Sequence, residues 1–203
     1  MYYKLSKTIE KLYPFYVSEE RKTIIEPLIE YIQNRLKNKQ QININFICTH
    51  NSRRSILAQV WAQTASTYFN VPNVFCYSGG TEETALFPII AETLIRQGFH
   101  VFKVSEGSNP IQAIKYSDND FPIIGFSKKH NDPFNPISDF TAVMTCSQAD
   151  DECPFIARAE KRILITFDDP KDSDFTLEQQ TVYDQRSLQI ATEMFYVFSK
   201  INL

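Results

Sequence analysis

Residues 42–77 constrain this chain more than any other stretch. A short β run ends at Cys48, a helical pattern follows through about Tyr68, and Asn73–Tyr77 reads as a second strand. Strand, loop, helix and strand in that order make a βαβ unit, which requires a parallel pair and a right-handed crossover. The sheet is therefore wound, and the loop after Cys48 opens at the carboxyl end of a strand.

That loop reads Phe46-Ile47-Cys48-Thr49-His50-Asn51-Ser52-Arg53-Arg54-Ser55, with five residues between Cys48 and Arg54. The spacing suits a chain that wraps one tetrahedral oxyanion. Backbone N–H groups turn inward, an arginine closes the ring bidentately, and a helix starts beneath. A cysteine in that field is held as a nucleophilic thiolate. Ser55 is placed to donate a hydrogen bond to the sulfur, and Asn51 tolerates left-handed backbone angles and can brace the loop. A buried, inert cysteine is the plain alternative, but the arginine, the serine and the strand-to-helix context coincide here.

The rest of the chain supplies layers. Residues 1–17 are rich in aromatic residues and predict a short helix ending before Pro14; residues 19–38 predict an amphipathic helix capped by Ser18, with Glu19 and Glu20 in its first turn. Ser78-Gly79-Gly80-Thr81 is expected to turn the chain, Phe87 to Gly98 to form a helix stopped by Gly98, and His100–Val104 to form a strand. Ile111–Tyr116 and Ile123–Phe126 flank Ser117-Asp118-Asn119-Asp120, the pattern of a β-hairpin, and residues 131–136 read as a loop. Phe140–Thr145 predicts a buried strand delivering Cys146, and Arg162–Phe167 another delivering Asp168 and Asp169. A long amphipathic helix closes the chain from Leu177 to Ile201. The expected architecture is α/β, a doubly wound parallel sheet of about four strands. A helical extension (1–40) precedes a catalytic domain (41–203) that carries a hairpin and loop insertion (105–137).

Composition narrows the function classes. The 21 basic and 24 acidic residues are mixed along the chain and sum to −3, so neither nucleic acid nor an anionic membrane is an expected partner. No run of about 18 apolar residues exists, and the first residues lack a signal-peptide pattern, so a cytoplasmic location is expected. Four cysteines in a reducing compartment point to catalysis, redox chemistry or burial rather than a disulfide framework. Cys76, mid-strand, reads as a core residue. With three histidines and no ligand spacing, neither a metal nor a cofactor is expected, and His100 and His130 are given no role.

The Cys48 loop resembles that of the low-molecular-weight protein tyrosine phosphatase superfamily, which includes the thiol-coupled arsenate reductases. Tyr77-Ser78-Gly79-Gly80-Thr81 resembles the family's Ser-Ala-Gly turn, and Phe167-Asp168-Asp169-Pro170 its general-acid loop, in matching order over about residues 42–201. The resemblance implies Cys48 as nucleophile, residues Thr49, His50, Asn51, Ser52, Arg53, Arg54 and Ser55 around the oxyanion, and Asp169 as proton donor. Thr145-Cys146-Ser147-Gln148-Ala149-Asp150-Asp151-Glu152-Cys153-Pro154 is similar to the thioredoxin-coupled reductases, closest of the superfamily. There Cys48 would attack arsenate, Cys146 would resolve the adduct, Cys153 would take over the disulfide, and a thioredoxin-like reductant would reset it. Such exchange needs a mobile segment, a role expected of a polar 147–152 loop.

Four positions depart from the family pattern. His50 replaces a glycine, Arg53 a frequent cysteine, and Gln59 the acid of the potassium-binding reductases. Lys171-Asp172-Ser173 stands where tyrosine-specific phosphatases carry an aromatic pair. Phosphate and arsenate are near-isosteric, so hydrolysis of a phosphorylated substrate through a phosphocysteine is the rival activity, and a non-catalytic oxyanion-binding module is a third reading.

Overall fold

In the computed structural model, which describes residues 1–152 and 155–203, β1 (Ile42–Cys48) is the buried spine. It pairs in parallel with β2 (Val74–Gly80) on one side and β6 (Phe140–Met144) on the other, and β6 pairs in parallel with β7 (Ala159–Leu164). The sheet order is therefore β2-β1-β6-β7. β3 (His100–Lys103), β4 (Gln112–Lys115) and β5 (Ile123–Gly125) form a separate antiparallel sheet, so the expected hairpin is extended by the strand at His100.

Alternation along β1 explains how its two faces are covered. Ile42, Ile44 and Phe46 enter the main core with α2 (Glu19–Lys37), α3 (Arg54–Tyr68) and α6 (Gln179–Ser199). On the other face Asn43 and Asn45 donate to the carbonyls of Asp139 (3.1 Å) and His130 (3.1 Å), strapping the segment before β6 across the sheet. Ile47 lies on that face too, packed with Met144, Cys146 and Ala149. α1 (Tyr3–Leu12) buries Leu5 and Ile9 in the main core and crosses the end of α4 (Pro88–Gln97). There Gly98, at φ +106°, admits the Leu5 backbone where a Cβ would lie 2.3 Å from its nitrogen. Ser18 caps α2 by accepting from the Arg21 N–H, as its position predicted.

Three expectations need correction. Ser78, Gly79 and Gly80 are not a turn but the last residues of β2, because β1 runs far enough to pair Cys48 with Gly80. β7 starts at Ala159 rather than Arg162 and ends at Leu164 rather than Phe167. Its ladder stops when β6 ends, although Ile165 and Phe167 still donate to Met144 and Thr145. Residues 147–152 are not a loop but α5 (Ser147–Glu152), begun by the Cys146 sulfur, which accepts the Ala149 N–H at 3.4 Å as a capping side chain would. No helix among the described residues is long and apolar enough to cross a membrane.

Sequence patterning gave no sign of Lys128, which is fully buried with its ammonium over the rings of Phe126 (4.3 Å) and Phe134 (5.3 Å). Its backbone N–H donates to Asn51 Oδ1 at 3.0 Å, which ties this strap to the Cys48 loop. Burial pushes the ammonium down to about 8 from its ordinary 10.5. Below pH 8 both folded and unfolded chains hold the proton. Between 8 and 10.5 only the unfolded chain does, so raising the pH relieves a folding penalty. Lys128→Met removes this group. The stability of the wild type relative to Lys128→Met is expected to rise across that window by up to about 3 kcal/mol. Urea unfolding at pH 7.5, 9 and 10 measures it, and parallel pH profiles would refute the assignment.

Candidate functional site

The chain between Cys48 and Arg54 is held by its carbonyl groups from outside. Cys48 O accepts from Thr81 N (3.1 Å), Thr49 O from Glu82 N (2.8 Å), Ser52 O from Phe87 N (3.2 Å) and Arg53 O from Leu57 N (3.1 Å). His50 O accepts from the hydroxyls of Ser127 (2.7 Å) and Thr84 (3.2 Å). In a trans peptide each carbonyl points opposite to the following N–H. The amides of Thr49, His50, Asn51, Arg53 and Arg54 are therefore turned away from this scaffold. The supporting partners from residues 81–87 and Ser127 escaped the sequence reading, since no local pattern marks a pairing across so many residues.

Asn51 sits at φ +47°, as expected of a residue that must turn the loop. Its Nδ2 donates to Ser55 Oγ at 2.8 Å, and Ser55 Oγ lies 3.1 Å from Cys48 Sγ. With the Ser55 oxygen already accepting, its hydroxyl hydrogen is available to the sulfur. Thr49, Asn51, Ser52 and Ser55 are all buried. Ser52 Oγ donates to the Ala85 carbonyl at 2.6 Å, while His50 remains partly exposed beside Glu82 (3.4 Å). A small cavity is lined by Cys48, His50, Ser52, Arg53, Arg54 and Asp169, with no phenylalanine, tyrosine or tryptophan among them.

The two adjacent arginines do different things. Arg53 is a clamp: its Nε donates to Tyr183 Oη and its Nη2 to Asp174, each at 2.6 Å, and its guanidinium lies over the Phe87 ring at 4.2 Å. Tyr183 in turn donates to Asp174 (2.6 Å); burial and that carboxylate push its hydroxyl up. Arg54 is less satisfied. Nη1 donates to the Phe167 carbonyl (3.1 Å) and Nη2 to Asp169 (2.5 Å), but the buried Nε has no partner among the described residues. Asp169 also accepts from the Lys171 N–H at 3.0 Å, opening a 3-10 turn over Pro170–Ser173. Asp168 is turned to solvent and pairs with Arg186 at 2.8 Å.

Cys146 comes to the same end of the sheet because β6 neighbours β1. Its sulfur is buried 3.6 Å from Thr49 Oγ1, one residue from Cys48, and both cysteines belong to one apolar cluster in the free form. Cys153 lies outside the described residues. Cys76 is a buried core thiol, which burial pushes up. Gln59 accepts from Ser78 Oγ (2.6 Å) and donates to the Ile124 carbonyl (3.2 Å), a donation no carboxylate can make. Among the described residues no group of three or more histidine, cysteine or acidic side chains is arranged to hold a metal.

No protein-family model and no curated protein matches this chain. Solved structures do. A YwlE mutant from Bacillus subtilis is similar with a TM-score of 0.55 at 14% identity, over 79% of this chain and 98% of that one. A low-molecular-weight phosphotyrosine phosphatase from Vibrio cholerae O395 gives 0.53 at 12%, over 77% and 94%. An arsenate reductase from Archaeoglobus fulgidus DSM 4304 gives 0.50 at 14%, over 77% and 99%. The chain thus has the α/β fold that low-molecular-weight phosphatases and arsenate reductases share.

Proposed function

We propose that this chain is a cysteine-nucleophile oxyanion enzyme that reduces arsenate through Cys48, Cys146 and Cys153. The observation that carries the reading is the free Cys146 sulfur, buried 3.6 Å from the hydroxyl of the residue next to Cys48. A second thiol there has no part in phosphoester hydrolysis. The inward-facing amides and the Nε of Arg54, which has no partner among the described residues, supply the donors that a tetrahedral oxyanion would take.

In this reading the Cys48 thiolate attacks arsenic. A sulfur–arsenic bond forms and one oxygen leaves as water, with Asp169 donating the proton. The Cys146 thiolate then attacks the Cys48 sulfur. The sulfur–arsenic bond breaks, its electron pair stays on arsenic, and arsenite departs as a Cys48–Cys146 disulfide forms. Cys153 displaces Cys48 from that disulfide, and a thioredoxin-like dithiol reduces the resulting Cys146–Cys153 bridge. The relay requires a reducing compartment, and the cytoplasm is the location we propose. Residues 41–203 hold the chemistry, while residues 1–40 form a helical extension that braces it.

Phosphomonoester hydrolysis is the second reading, favoured by the 2.5 Å contact that keeps Asp169 beside Arg54, where an acid serves a leaving oxygen. No phenylalanine, tyrosine or tryptophan among the described residues lines the cavity, which counts against an aryl leaving group, and Asp169 counts against a purely binding role.

Cys146→Ser is expected to abolish thioredoxin-dependent arsenate reduction while sparing p-nitrophenyl phosphate hydrolysis; intact arsenate turnover in this variant would reject the relay. Cys48→Ser is expected to remove both activities, and survival of either would reject the nucleophile. Asp169→Asn is expected to slow hydrolysis of a phenyl phosphate about 10²–10⁴-fold, with less effect on the p-nitrophenyl ester, whose leaving group needs no proton. Steady-state rates on the two esters measure this, and equal losses on both would count against Asp169 as the acid.

A further inference from the structure

A second cavity, of about 280 Å³, lies between the open edge of β2 and the β4–β5 hairpin, lined by Phe75, Tyr77, Tyr116, Phe121 and Phe134 with Asp120 among them. It shares none of its lining with the cavity at Cys48. Its volume is near the lower end for small-molecule sites, which suits a ligand of fragment size.

The polar groups of this cavity are unequally committed. The amide of Gln63 copies a neighbouring strand, accepting from Cys76 N (2.9 Å) and donating to the Val74 carbonyl (3.1 Å), so the β2 edge is already satisfied there. The Gln59 amide is spent on Ser78 and Ile124. Tyr116 Oη accepts from Thr67 at 3.2 Å. Asp120 is half-buried and makes no ion pair among the described residues; its carboxylate accepts only the hydroxyl of Ser117, two residues before the hairpin's exposed tip ends. Burial pushes the Tyr116 hydroxyl up, and the charge of Asp120 adds to that, so the carboxylate acts on the cavity wall.

Aromatic faces carry partial negative charge, and a carboxylate without a basic partner adds a full one. We propose that this cavity binds a small amphipathic organic cation, an aryl- or alkyl-ammonium or guanidinium compound, with Asp120 taking its charge and the rings its apolar body. The site is independent of the reaction at Cys48.

Isothermal titration of the full chain with 2-phenylethylammonium, and with 2-phenylethanol as its neutral counterpart of similar shape, tests the assignment. Saturable binding of the ammonium is expected, weakened about tenfold or more both for the alcohol and in Asp120→Asn. Phe75→Leu is expected to weaken it as well, and serves where Asp120→Asn fails to fold. Saturating phosphate is expected to leave binding unchanged. Absence of saturable binding, equal affinity for the alcohol, retention in both variants or displacement by phosphate would each overturn the proposal.

Discussion

The outward tethering of the loop carbonyls is the interaction on which the rest of the site depends. A run of backbone from Cys48 to Arg54 has no ladder of its own, so without those partners its peptide planes would be free to rotate and present oxygen as readily as N–H to the cavity. Five carbonyls are held, four by backbone N–H groups and one by two hydroxyls. The tethers from Thr81, Glu82, Thr84 and Phe87 come from the segment after β2, which is in reach only because Gly80 pairs with Cys48 and runs against the loop. A Cβ at Gly80 would sit 2.6 Å from Thr49 O and 2.9 Å from Asn51 N. The second glycine of this strand is thus a steric requirement of the loop's geometry.

What was legible in the sequence was local. The β run into Cys48, the turn at Asn51, the Ser55 hydroxyl beside the sulfur and the helix from Arg54 all lie within a few residues of one another, and periodicity and turn chemistry report such relations directly. Gly98 stopped its helix for the same reason. The reading failed where a distant neighbour decided. Ser78-Gly79-Gly80 has turn composition, but a strand alongside imposes extension. Residues 147–152 look like a polar loop until the Cys146 sulfur is seen capping them as a helix. Arg53 and Arg54 are adjacent and chemically identical, and only Asp174 and Tyr183, 121 and 130 residues further along, make one of them a clamp.

Asparagines on a buried strand also illustrate the difference between pattern and cause. Asn43 and Asn45 alternate with isoleucine and resemble a solvated face, yet both are buried. Their Nδ2 groups donate to carbonyls of the 130–139 strap, so the polar face of β1 is a docking surface for backbone rather than for water. Just before that strap Lys128 meets Asn51, which places a buried ammonium in the scaffold of the loop without bringing it into the cavity at Cys48.

Arg54 links this scaffold to the chemistry we propose. A guanidinium offers a planar fork of donors, and here one arm holds the Phe167 carbonyl, one holds Asp169, and the buried Nε holds nothing among the described residues. An arriving oxyanion has two ways to gain: it takes the idle Nε, and it competes with Asp169 for Nη2. In the reaction we propose, the first interaction would position the anion over Cys48, and the second would release the carboxylate toward the leaving oxygen. Asp169 remains anchored through the Lys171 N–H, so its release from Arg54 is a rotation within a fixed turn rather than the movement of a loop. Arg53 keeps that turn in place by gripping Asp174 at its far end, so of the two adjacent arginines one braces the turn while the other keeps its Nε for the cavity.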